Sequence, residues 1–258
     1  MVKRAQLIRM KNIYKSFGAV SALIDVDFKL NYNEIVGLVG DNGAGKTTLI
    51  KILSGVYLPN KGKIFFDGKE ITLKSPMGAK NLGIETIHQN LALVEELNIE
   101  RNIFMGREPI SPVLGGFIGL LDRKRMEKEA QGILKNLKIP INSTKERVKN
   151  LSGGQRQSVA VGRSLHFRAK IIIMDEPTAA LSVQETNKIL SLTKSLREEG
   201  LSIIFISHNL YHVFAVADRI TVLRHNRVVG ERRTEETNMD EITGLIVGKK
   251  VKESLPKV

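Results

Sequence analysis

The residues from Gly40 to Thr48 hold the most specific chemistry in this sequence. Gly40-Asp41-Asn42-Gly43-Ala44-Gly45-Lys46-Thr47 fits the spacing G-x-x-x-x-G-K-[ST] at every fixed position, and Thr48 follows as a further hydroxyl. These residue types suit a polyphosphate. Backbone N–H groups can surround one only where the chain curls tightly with no Cβ atoms in the way, which is the use of the glycines. A helix starting at this loop adds the positive end of its dipole. Lys46 brings a point charge to the β- and γ-phosphates, and the Thr47 hydroxyl can ligand Mg2+.

Two other stretches carry matching chemistry. Ile171-Ile172-Ile173-Met174 runs into Asp175-Glu176. Four apolar residues before two acids describe a buried strand that delivers carboxylates at its C-terminal end, where open parallel sheets bind ligands. Asp175 is suited to holding Mg2+ through water, and Glu176 to general-base work on an attacking water. Further back lies Leu151-Ser152-Gly153-Gly154-Gln155-Arg156-Gln157. A Ser-Gly-Gly turn that opens a helix makes a second anion-reading helix N-terminus. One chain thus has two phosphate-reading surfaces and one lysine-bearing cradle. A head-to-tail pair of chains resolves this, with each nucleotide sandwiched between the cradle of one copy and Ser152–Gln155 of the other.

The elements that must position these residues are legible in outline. Ile35–Val39 is apolar without alternation, as in a strand buried on both faces, and it leads straight into the cradle. A helix follows, with Leu49, Ile50, Ile52 and Leu53 as its apolar stripe and Gly55 as its stop. Residues 24–30 alternate, with Ile24, Val26, Phe28 and Leu30 on one face. Asp67-Gly68 predicts a hairpin over Lys63–Ile71. The first 75 residues read as short strands joined by tight turns. From about 90 to 168 the pattern turns helical, with Met126, Ala130, Ile133, Leu134 and Leu137 on one face, Pro140 as terminator and Pro109–Gly119 as a loop. A helix is expected from Gln155 to about Arg168. Strand, helix and strand then alternate at Ile171–Met174, Val183–Leu196 and Ile203–Ser207, before a last hairpin near Ile220–Val229 and a frayed tail after Gly244.

Composition limits the function classes. The chain has 258 residues, 42% hydrophobic and 26% charged, a globular balance that excludes disordered, collagen-like and coiled-coil chains. No apolar run approaches the roughly 18–20 residues of a membrane span, and the N-terminus lacks the apolar core of a signal peptide. A cytoplasmic chain is expected. Cysteine is absent, which removes disulfides and thiolate chemistry. The five histidines are not read as a zinc site. The net charge of +13 is spread along the chain, and no aromatic residues interleave with the basic cluster near its end.

The three motifs and their order resemble the ATP-binding cassette (ABC) ATPases over about residues 7–245. The resemblance implies an α/β fold: a P-loop NTPase with a RecA-like parallel sheet core, an antiparallel β subdomain and an inserted helical subdomain. It implies one ATPase domain over 1–245, with core segments 1–88 and 166–245, helical subdomain 89–165 and basic tail 246–258. It assigns Gln89 a place near Mg2+ and the transporter interface. His208 becomes the histidine that contacts the γ-phosphate. Either Phe17 or Tyr14 would stack on adenine, Phe17 being favoured because it precedes Gly18 as the family pattern does. One departure stands out. Where the family usually shows Ser-Ala-Leu-Asp after Glu176-Pro177-Thr178, this chain has Ala179-Ala180-Leu181-Ser182, so the aspartate's role does not carry over. That variant resembles the monosaccharide-importer branch, as do Gly55-Val56-Tyr57, His88-Gln89-Asn90 and Asn102-Ile103-Phe104-Met105-Gly106-Arg107-Glu108. The implied function is hydrolysis of ATP, with Mg2+, by a pair of these chains on the cytoplasmic face of the membrane. Hydrolysis would drive uptake of a small solute, a sugar, through separate integral membrane permease subunits served by a solute-binding protein. An exporter motor, or a soluble ABC-type ATPase acting on nucleic acid or ribosomes, is the alternative; no nucleic-acid partner is expected.

Overall fold

The computed structural model describes residues 5–87, 93–113, 118–136, 143–166, 169–179 and 181–249. Gln89, Leu137, Pro140, Ala180 and the tail 250–258 lie outside them. The chain opens on two strands of twelve residues each, β1 (Gln6–Phe17) and β2 (Val20–Asn31), longer than the short strands expected. There follow β3 (Ile35–Val39), α1 (Lys46–Leu53), β4 (Lys61–Phe66), β5 (Lys69–Ile71), α2 (Pro76–Asn81) and β6 (Ile84–Ile87). The middle of the chain holds α3 (Ile99–Phe104), β7 (Ile110–Val113), β8 (Ile118–Leu121), α4 (Arg123–Asn136) and α5 (Gly153–His166). The last part holds β9 (Ile171–Asp175), α6 (Val183–Glu198), β10 (Ser202–Ile206), α7 (Leu210–Val216), β11 (Arg219–Arg224), β12 (Arg227–Arg233) and α8 (Met239–Val247).

Six strands form the central sheet in the order β12-β11-β3-β10-β9-β6. All neighbours are parallel except β11 and β12. A second, antiparallel sheet has the order β2-β1-β4-β5. The unbroken apolar strands explain why both faces of the central sheet are covered. Val36, Leu38, Ile171, Ile173, Ile204 and Ile206 pack on the side of the antiparallel sheet and α1. Their strand neighbours Ile35, Val39, Ile172, Met174, Ile203 and Phe205 pack on the other side. A third cluster joins Ile99, Ile103, Phe104, Met126, Ala130, Leu134 and Val159. Helix α5 belongs to two clusters, giving Val159 to the third and Ala160 and Val161 to the second. Among the described residues, no helix is long and apolar enough to cross a membrane.

Four local readings change. Ile24 is turned partly out and Leu23 is buried instead, because Asp25 takes φ 54° and the pairing with β1 slips between Ile13 and Lys15. Such a bulge swaps the faces of a strand on either side of it. Of the segment 109–119, expected as a loop, the described residues from Ile110 to Val113 and from Ile118 onward belong to the β7–β8 ribbon, with Ile110 opposite Leu121 and Pro112 opposite Gly119. A two-stranded ribbon has only edge strands, where proline is tolerated. Any Cβ at 119 would collide with Ile110, so glycine lets the two strands close. Helix α5 starts at Gly153, two residues before the expected Gln155. The chain after Gly244 continues as helix α8 to Val247, where Gly248 at φ 85° ends it.

Gly37 shows how tightly the layers meet. A Cβ there would run into Val213 of α7 and lie 3.3 Å from the Ala217 Cβ. Gly37→Ala should cost about 1–3 kcal/mol by overpacking. In a thermal melt this is a fall of roughly 2–4 °C per kcal/mol, and an unchanged midpoint would mean that α7 can move off β3 freely.

Candidate active site

The sheet order brings three strand ends together. Strand β10 lies between β3 and β9, with Ile206 paired to Leu38 on one side and to Asp175 on the other. The loop after β3 is the cradle, β9 ends in Asp175 and Glu176, and β10 leads into Ser207 and His208. Residues far apart in the chain therefore emerge side by side at one edge, as expected of a parallel sheet.

The cradle is built for backbone donors. Gly45 sits at the head of α1 with φ 103°, and no side chain caps that helix. The first-turn N–H groups, which have no partner within a helix, are thus left to a ligand. Asp41, Asn42 and Gly43 are exposed at the tip. Gly43 takes φ 81°, and a Cβ there would meet nothing within 4 Å. Gly40 and Gly45 serve packing instead. A Cβ at 40 would collide with the Leu223 carbonyl, and one at 45 would lie 2.7 Å from the Ala22 carbonyl oxygen. Ala44 is buried behind the loop, Thr47 is exposed and Thr48 half-buried. Lys46 Nζ donates to the carbonyl oxygens of Gly40 (2.6 Å) and Asp41 (2.9 Å), so the lysine braces the curl of its own loop. Burial pushes its ammonium below the ordinary lysine value, while the carboxylates of Glu176, Asp41 and Asp175 pull it up. Cradle and carboxylates thus share one electrostatic field.

Glu176 is held from several sides. Its backbone takes φ 52°, a left-handed conformation that costs a non-glycine residue of order 1–3 kcal/mol. Its N–H donates to the Ile206 carbonyl (3.0 Å). Its carboxylate accepts from the His208 N–H (3.0 Å) and the Ser207 hydroxyl (3.4 Å), and lies 2.9 Å from His208 Nδ1. The His208 ring is itself 75% exposed. A carboxylate and an imidazole are thereby presented together, facing the cradle's field. Ser207, buried behind them, was not singled out by the sequence; only its place just after an apolar strand could have drawn attention to it.

Ser152, Gly153, Gly154 and Gln155 form a second group. The Ser152 N–H donates to Gln155 Oε1 (3.0 Å), and the Gln155 N–H donates to Ser152 Oγ (3.3 Å). This is a reciprocal capping box, and the spacing Ser-x-x-Gln carries its signal. Gly154 N–H donates to Glu185 Oε1 (3.1 Å). Cβ atoms at 153 and 154 would press on Leu181 (2.8 Å) and Glu185 (3.2 Å), so these glycines also let the start of α6 approach. Ser182, which stands where the family usually has aspartate, caps α6 in a second box with Glu185. Phe17 is 43% exposed and meets Tyr57 edge-on, with ring centroids 5.1 Å apart. Lys15 Nζ lies 5.0 Å from the Phe17 centroid. Tyr14, by contrast, is raised from its ordinary value by partial desolvation and by its hydrogen bond with Asp25.

The Gly154, Ser182 and Ser152 donors hold the Glu185 carboxyl down at about 2 from an ordinary 4.5. A lowered carboxyl adds stability that is complete above about pH 4.5 and is lost as pH falls toward 2. The stability gap between the protein and Glu185→Gln, measured by urea unfolding, should therefore be full at about pH 7 and shrink by about pH 3. A gap that ignores pH would take the charge out of this cap.

Comparison with known proteins fits this architecture. The sequence profile of the family described as ABC transporter matches residues 23–179. The chain is 47% identical over 239 residues to the xylose/arabinose import ATP-binding protein of Sulfolobus acidocaldarius, covering 93% of each. It is 44% identical to the fructose import ATP-binding protein of Rhizobium meliloti, covering 95% of each. It is 41% identical to a ribose import ATP-binding protein of Rubrobacter xylanophilus, but spans only 49% of that protein's length. Its structure superposes on a nucleotide-free ATP-binding cassette from an ABC transporter with TM-score 0.78 at 27% identity, covering 94% of this chain and 95% of that one. A dimeric cassette bound to ADP and Pi in a post-hydrolysis state matches with TM-score 0.71 at 26% identity, over 88% and 98% of the two chains. With the cradle, the paired carboxylates and the Ser-Gly-Gly helix on one cassette fold, the chain belongs to the ABC transporter family.

Proposed function

We propose that this chain is the ATP-hydrolysing motor of a monosaccharide importer, working as an ATP-dependent pair. The observation that carries the reading is the convergence of Lys46, Asp175, Glu176 and His208 at three neighbouring strand ends. Residues 40–48 bind the triphosphate through backbone N–H groups, the Lys46 ammonium and the Thr47 and Thr48 hydroxyls. Phe17, exposed beside Tyr57, offers a face for adenine. Glu176 takes the proton of the attacking water as its oxygen bonds to the γ-phosphorus and the bond to the β-phosphate oxygen breaks. His208, fixed against Glu176, contacts the γ-phosphate and orients that water.

The donors suit Mg2+. Thr47 and Asp175 offer hard oxygens, and among the described residues no three His, Asp or Glu side chains form a metal cage. A site of one carboxylate and one hydroxyl, completed by phosphate and water, is the usual setting for this ion. When bound, Mg2+ offsets charge on the β- and γ-phosphates. Gln89 is assigned to the same ion from the family pattern. Ser152, Gly153, Gly154 and Gln155 read the nucleotide held by the partner copy, a reading favoured by the dimeric form of a related cassette. The domain runs over 1–245, with the helical part at 89–165 facing integral membrane permease subunits. The solute-binding protein acts through them, and the chain sits peripherally on the cytoplasmic face. Import of a sugar is favoured over export by the relatives, which are import proteins for xylose or arabinose, fructose and ribose.

Glu176→Gln should lower ATP turnover by roughly 10²–10⁴-fold while leaving ATP binding and ATP-driven pairing intact, as read by phosphate release and light scattering. Wild-type turnover in this variant would remove Glu176 from the chemistry. Lys46→Ala should weaken ATP binding in a titration and abolish sugar uptake in cells that depend on this chain. Undiminished uptake of xylose, ribose and fructose would refute the sugar-import assignment while leaving the ATPase reading to the first test.

A further inference from the structure

Two hydrogen bonds of a second histidine serve none of the roles proposed for this site. His212 is half-buried on α7, one turn after His208. Its Nδ1 lies 2.9 Å from the Thr178 hydroxyl, and its Nε2 lies 3.2 Å from Asn209 Nδ2. The direction of these bonds can be worked out. Asn209 caps α7 by accepting the Tyr211 N–H at its Oδ1 (3.0 Å). The amide group facing His212 is therefore a donor, so Nε2 must accept. The ring proton then resides on Nδ1 and is given to Thr178 Oγ1. His212 is held as one neutral tautomer, donating on one side and accepting on the other.

The two ends of this bridge matter. Thr178 is buried two residues after Glu176, and the Ala179 N–H closes the turn onto the Glu176 carbonyl (3.2 Å). Asn209 follows His208 directly, and its N–H donates to Ser207 Oγ (3.1 Å), which in turn donates to the Glu176 carboxylate. The geometry points to His212 as a positioning residue for hydrolysis: it ties the 176–178 turn to the 207–209 turn and so sets Glu176 against His208. This role rests on the ATPase reading. It also matches the strain of the site, because Glu176 sits in a left-handed conformation that its surroundings must maintain. Burial and the nearby His208 hold the His212 ring below the ordinary histidine value, with Glu176 opposing, in keeping with a neutral ring.

Steady-state ATPase measurements on the purified chain test this. His212→Ala should lower kcat on the order of 10-fold, since small displacements of reacting groups cost rate steeply, with KM for ATP changed less than about twofold. Thr178→Val, which keeps shape and removes the acceptor, should lower kcat similarly. The double variant should be no worse than either single one, because both cut the same link. His212→Asn, which returns an amide N–H near the Nδ1 position, should recover activity over alanine. The assignment is overturned if both single variants keep kcat within about twofold of the protein, if their losses multiply, or if asparagine gives no recovery. A wild-type chain that releases no phosphate overturns the ATPase reading first and this role with it; a wild-type chain that does, with unaffected variants, overturns this role alone.

Discussion

A partly buried ammonium among carbonyls and carboxylates organises this protein. Lys46 gives up some water to sit inside its loop, which pushes its ammonium below the ordinary lysine value, and the carboxylates of Glu176, Asp41 and Asp175 in the same field oppose that shift. Two of those acids, Asp175 and Glu176, stand at the C-terminal end of β9, more than a hundred residues away in the chain. The central sheet, with β10 set between β3 and β9, exists in a form that lets these charges meet. An incoming triphosphate adds negative charge where lysine, helix dipole and backbone N–H groups already favour it. The carboxylates supply the opposite tendency, which is what the proposed cation and attacking water call for.

The glycines of the 40–45 loop and of the Ser-Gly-Gly turn divide by purpose. Gly43 faces open space and leaves room for a ligand, whereas Gly40 and Gly45 make room for the chain's own backbone. Gly153 and Gly154 do likewise for the start of α6. A motif that looks uniform in sequence thus mixes ligand clearance with packing clearance. Ser182 fits the same view. It serves α6 as a helix cap, and through Glu185 that cap reaches the head of α5.

Much of the site could be read from the chain because its signals are local. The cradle spacing, the apolar run before Asp175-Glu176 and the Ser-Gly-Gly turn each lie within a few consecutive residues. The buried strands Ile35–Val39 and Ile171–Asp175 were legible for the same reason, since nothing breaks their apolar runs. What escaped depends on distant partners or on single backbone angles. The outward turn of Ile24 follows from one positive φ at Asp25. The ribbon at 110–121 was hidden by Pro112 and Gly119, which read as loop residues until they stand opposite each other. His212 carries no pattern at all, because its partner Thr178 arrives from another strand end.

Helix α5 has two oily sides, Val159 seated in the helical cluster and Ala160 and Val161 in the sheet's. A rod wedged in this way cannot roll about its own axis without opening a void on one side or a clash on the other. Any push delivered through α3 or α4 must therefore travel along the rod or tilt it whole. Its head is the Ser-Gly-Gly turn, so a shove on the lobe built from α3 and α4 arrives there as a shift of donor position rather than as a loosening of the fold.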